Sequence, residues 1–96
     1  MPLNEDEVSK IKKFCNDYTE LEGGCFDPAI IIPEMEALFE LAGSRTDLCL
    51  QGGAVPIVFG GFNRVYVYPN GNVKVSRSHC SSKFLSTARD LGYEIV

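Results

Sequence analysis

Any chemistry in this chain has to come from very few residues. Its one histidine, His79, stands beside Cys80, and three more cysteines lie at positions 15, 25 and 49. A thiol beside a histidine at the start of a helix is an arrangement that can activate a nucleophile. Adjacent residues seldom aim at one another, however, and no second histidine is present to act as the base. Ser78, His79, Cys80 and Ser81 read more simply as a strand-to-helix turn rich in capping hydroxyls. The cysteines include no Cys-x-x-Cys pair, so their spacing does not suggest zinc. The glycine pairs at 52–53 and 60–61 lack the Lys-Ser/Thr of a phosphate loop and the G-x-G-x-x-G of a dinucleotide fold. The carboxylates fall mostly on outward helical positions. The expectation is a protein that is not an enzyme, with no cofactor and no metal.

The residues that suggest binding lie in one hairpin. Arg64, Tyr66, Tyr68 and Lys74, with Arg77 at the end of the second strand, alternate with valines around Pro69-Asn70-Gly71. A two-residue turn on Asn-Gly would put Pro69 where the ladder needs an N–H. A type I turn with Pro69 and Asn70 at its centre and Gly71 in a left-handed bulge avoids that. It pairs Val67 with Val73, Tyr66 with Lys74 and Val65 with Val75. One face is then all valine, and the other carries Arg64, Tyr66, Tyr68, Lys74 and Ser76. Slipping by one residue would bury Lys74 among valines. Tyrosine and arginine suit a protein interface, and they also suit bases and phosphates.

The elements around the hairpin follow from periodicity. Asn4 and Glu7 form a capping box for a first helix, whose apolar face is Val8, Ile11, Cys15, Tyr18 and Leu21, widened by Phe14 and ended by Gly23-Gly24. Pro33 is expected to begin the second helix, after an extended passage through 29–32. That helix should bury Met35, Leu38, Phe39 and Ala42, turn Glu34, Glu36 and Glu40 outward, and stop at Gly43. A loop or short strand follows at 44–51. Val55 to Phe59 reads as a strand, and Pro56 within it marks an edge or a strand start. Such an edge would permit dimerisation by strand addition. A last helix near Ser81, with Ser78 as a rival cap, carries Phe84, Leu85, Ala88 and Leu91 and ends at Gly92. Tyr93 to Val96 adds a final strand. The expected fold is one α+β domain over 1–96, in the order α-α-β-β-β-α-β, with helices on one face of a small, mainly antiparallel sheet.

Composition bounds the function further. The chain has 96 residues and a net charge of −4, with eleven acids against four bases in its first 50 residues and two against five in the rest. An acidic chain is a poor general binder of nucleic acid, although a local basic face remains open to it. No apolar run is long enough to cross a membrane. Acidic residues at 5–7 stand where a signal peptide would be basic, so the chain is expected to be cytoplasmic. The cysteines are accordingly expected to be reduced.

These observations favour a small cytosolic protein that acts by binding a larger protein. A concrete version is an inhibitor or regulator of the kind phages encode against host defence, anti-CRISPR proteins among them. The alternative is a nucleic-acid-binding module that uses the basic tyrosine face. Its hairpin followed by a helix resembles, in architecture alone, the small three-stranded DNA-binding domains of integrases. The acidic N-terminal half has no counterpart there. The sequence leaves the oligomeric state open.

Overall fold

The computed structural model describes residues 3–22, 27–44, 53–59 and 62–96. Helix α1 spans Glu5–Glu22 and α2 spans Pro28–Ser44. Strands β1 (Val55–Phe59), β2 (Asn63–Val67) and β3 (Val73–Val75) follow, then a 3-10 turn at Arg77–His79, helix α3 (Ser82–Asp90) and strand β4 (Glu94–Ile95). The sheet order is β1-β2-β3-β4. The first three strands are antiparallel, and β4 runs parallel to β3. The expected α+β order holds.

The capping box forms as read. The Glu7 backbone N–H donates to Asn4 Oδ1 at 2.8 Å, and the Asn4 N–H donates to Glu7 Oε1 at 3.0 Å. Ile11, Phe14, Cys15 and Leu21 are buried along α1, while Val8 and Tyr18 lie at the margin of the stripe. The glycines expected to stop this helix, and the expected loop or strand at 45–51, lie outside the described residues.

α2 departs from expectation, because it begins at Pro28 and carries Pro33 inside it. Asp27 makes that start possible. Its Oδ1 accepts from the Ala29 N–H at 3.0 Å, and its carbonyl accepts from Ile30 at 3.1 Å and Ile31 at 3.0 Å. Pro28 then takes the first helical position, where its missing N–H costs nothing. Pro33 removes the donor for the Ala29 carbonyl, but Ala29 is exposed and water can serve there. Continuing the helix also brings Ile31 and Ile32 onto the core beside Met35 and Phe39. Leu38 is the second correction: it flanks that stripe and is exposed. The helix runs one residue past Gly43, and the side chain of Ala42 is not among those described. Glu34 and Glu40 face outward, whereas Glu36 is half-buried and accepts from the Leu3 N–H at 2.9 Å.

The hairpin has the bulged register. Val65 pairs with Val75, Tyr66 with Lys74 and Val67 with Val73. The Gly71 N–H donates to the Tyr68 carbonyl at 2.8 Å, Tyr68 donates to the Asn72 carbonyl at 2.9 Å, and Gly71 has φ +85°. All four valines are buried, and they form one cluster with Ile11, Phe14, Met35, Phe84 and Ala88. The three helices thus pack their apolar stripes on the valine face.

β1 is an edge strand, as Pro56 suggested. Tyr68 and Arg64 turn their backbone groups toward β3, so the odd-numbered residues of β2 face β1. The register then turns the backbone of Pro56 and Val58 away from the sheet. The residue without an N–H is the one at the free edge.

Ser81, not Ser78, caps α3, because its Oγ accepts from the Phe84 N–H at 3.2 Å. The helix closes in a Schellman motif, with Gly92 donating to the Arg89 carbonyl at 3.1 Å and Tyr93 to the Ala88 carbonyl at 3.0 Å. Ser81→Ala is expected to lower stability by about 1 kcal/mol in urea titration, and Ser78→Ala by less than about 0.5 kcal/mol. The reverse order would move the cap back to Ser78.

Candidate functional site

Side-chain alternation assembles the outer face of the sheet from all four strands. Pro56, Tyr66, Lys74 and Glu94 form one cross-strand row. Val58 and Arg64 start the next row, in which Ser76 N–H donates to the Arg64 carbonyl at 3.0 Å and Val96, just past β4, donates to the Val75 carbonyl at 2.9 Å. Among the described residues, no helix packs on this face. Val58 and Val96 are each 50% exposed, and Phe62, in the turn before β2, is 57% exposed. Arg64, Tyr66, Tyr68 and Lys74 are half-buried side by side. Of the five residues singled out from sequence, four therefore share this face. Arg77 stands apart, exposed in the 3-10 turn, with its N–H donating to the Val96 carbonyl at 2.8 Å.

Two features change the chemistry expected of the face. Lys74 Nζ lies 2.9 Å from Glu94 Oε2 and 4.9 Å from the centre of the Tyr68 ring. The hydrogen bond it donates to Glu94, and then the Glu94 charge, push the Lys74 ammonium up from its ordinary value. The lysine is charged but matched, so the face is less basic than the hairpin alone implied. Ser76, expected on this face, is instead buried at 4% exposure, because the 3-10 turn folds back and brings His79 Nδ1 within 3.0 Å of its Oγ.

His79 and Cys80 are occupied separately. Ser78 Oγ also lies 3.1 Å from His79 Nδ1, and the Cys80 thiol donates to the Arg64 carbonyl at 3.3 Å. Cys80 precedes the Ser81 cap and is buried. Cys15 is buried too. Burial, and then the Asp27 carboxylate, push its thiol up, away from thiolate chemistry. Among the described residues, no three of His, Cys, Asp and Glu gather as a cation site would need.

A cleft of about 440 Å³ opens between α1, the hairpin turn and the end of α3, with Lys10, Lys13 and Lys74 around it. Each lysine has a carboxylate. Lys10 lies 3.5 Å from Asp6, and Lys13 lies 2.6 Å from Asp17. Tyr93 donates its hydroxyl to the same Asp17 oxygen at 2.5 Å. Burial, and then that hydrogen bond, hold the Tyr93 phenol well above its ordinary value. With its cations matched, this cleft is a weak attractor of anions.

The sequence reading missed two features. The first is Glu94, which strict alternation through Tyr93, Glu94 and Ile95 would have turned outward. The second is a set of exposed apolar residues on α2 around Glu34, where Ile30, Leu38 and Leu41 are 61%, 39% and 47% exposed. Its signal was the composition of α2, which is apolar nearly all the way round.

No family model, no curated protein and no solved structure matched this chain. Among the described residues, no helix is long and apolar enough to cross a membrane.

Proposed function

We propose that this chain acts by binding another protein through the outer face of its sheet, as a regulator or inhibitor without catalysis of its own. The supporting observation is the row-by-row character of that face. Among the described residues no α-helix packs on it, and beside the 3-10 turn that covers Ser76 it carries Val58 and Val96 half in water with two half-buried tyrosines between them. Protein interfaces favour tyrosine and arginine at their centres with matched charges at the margin, which is how Lys74 and Glu94 stand here. A standard interface takes about 800 Å² from each partner, a modest share of the 5802 Å² surface.

Affinity capture from a host lysate, with wild type beside a folded Val58→Asp/Tyr66→Ala double variant, tests this. A partner held by wild type should bind the variant at least about 30-fold more weakly, as loss of a central aromatic typically brings. Equal binding by the two proteins would refute the reading, and so would failure to capture any partner. Salt-sensitive binding of DNA or RNA that Lys74→Glu abolishes would replace it with the nucleic-acid alternative.

A further inference from the structure

Arg64 is the residue on the open face whose charge nothing in the described structure matches. Its Nε is sealed from solvent and has no hydrogen-bond partner. Lys74, one row away, is already given to Glu94. The Arg64 Nε is out of a partner's reach, but Arg64 is half-buried, and the terminal nitrogens of a partly dehydrated, unpaired guanidinium gain more from a bound acceptor than fully solvated ones do. Two side chains in its row are apolar. Val58 lies directly across from it on β1, and Val96 stands two strands away on the other side, each 50% exposed.

We propose that the partner protein presents an Asp or Glu side chain to the Arg64 fork, with apolar neighbours of that residue seated on Val58 and Val96. The inference rests on the protein-binding reading above and supplies the chemistry of the partner. A carboxylate fits better than a phosphate backbone for two reasons. Half-exposed valines stand in the row of Arg64 at 58 and 96, and the nearest cation on the face is neutralised by Glu94, so a tract of phosphates would meet one free charge where it needs several. A planar carboxylate matches the fork in a bidentate pair.

A displayed library of random short peptides, selected on the full chain, is the probe. The selected peptides should share an Asp or Glu at one position with apolar residues two places to either side. The best of them, made synthetically, should shift the amide resonances of Val58, Arg64 and Val96. Its affinity should fall by about tenfold or more, the loss of a charge-assisted pair, when its acid becomes Asn or Gln. Arg64→Leu should bring the same loss. The peptide change needs no variant protein, so the test stands even where Arg64→Leu fails to fold. Peptides without an acid that shift these same amides would overturn the carboxylate anchor and leave the binding face intact. Peptides that shift other residues, or no enrichment, would overturn both. Oligothymidine that moves these amides where no peptide does would also overturn both.

Discussion

Gly71→Ala is expected to cost about 3 kcal/mol, while Gly92→Ala costs only about 1 kcal/mol. Both glycines have positive φ, +85° and +92°, so a side chain strains the backbone at either one. They differ in what a side chain would meet. At Gly71, a Cβ would fall 2.7 Å from the Glu7 carbonyl oxygen and 2.9 Å from its Cα, whereas at Gly92 nothing lies within 4 Å. The hairpin turn is pressed backbone to backbone against the first turn of α1, and neither backbone can yield without loosening the capping box or the bulge. Urea unfolding midpoints for the two variants measure the difference. Equal losses would mean that the turn does not bear on α1. Asparagine at both sites sharpens the contrast, because it tolerates the left-handed region but still brings a Cβ.

Phe14→Ala is the second large effect, with an expected loss of about 3–5 kcal/mol. For a domain of this size that corresponds to a fall in Tm of about 20 °C. Phe14 is 2% exposed and lies where α1 meets the end of α3, and its ring packs edge-on to Tyr93 with centroids 5.9 Å apart at 85°. Removing it opens a cavity beneath a phenol that Asp17 and Lys13 hold in place, with Lys13 Nζ 4.6 Å from the centre of the Tyr93 ring. The site therefore cannot collapse to fill the space. Calorimetry on Phe14→Ala and Phe14→Leu would check this, with Leu recovering most of the loss. A cost below about 1 kcal/mol for the alanine variant would show that the core had refilled and that Phe14 does not join α1 to α3.

Local chemistry with a single reading was legible in the sequence. Pro69, Asn70 and Gly71 admitted one turn that spared the ladder, and the alternation of valines confirmed its register, so the placing of Tyr66 against Lys74 followed. Asn4 with Glu7, and Gly92, marked helix ends through groups that satisfy their own backbone neighbours, while Ser78 and Ser81 stayed rivals for the cap that Ser81 makes to Phe84. Pro33 misled because its cost is local, while the gain from carrying α2 back to Asp27 comes from Ile31 and Ile32 meeting the core. Leu38 was misplaced for a related reason, since a helix apolar on most sides does not announce which flank is buried. Glu94 reached Lys74 through a parallel pairing set by the turn at Gly92, and no pattern within one strand encodes that register. The sequence showed four of the five candidate residues as a group. Their exposure depended on where the helices packed.

One consequence follows from the way β1 ends the sheet. The backbone of Pro56 faces outward at the free edge, so a strand laid along it from another molecule would find a carbonyl there and no amide. Main-chain pairing is the most generic form of recognition, since every polypeptide carries the same backbone. With a donor missing from that edge, discrimination between molecules passes to side chains, where one exchanged residue alters the fit.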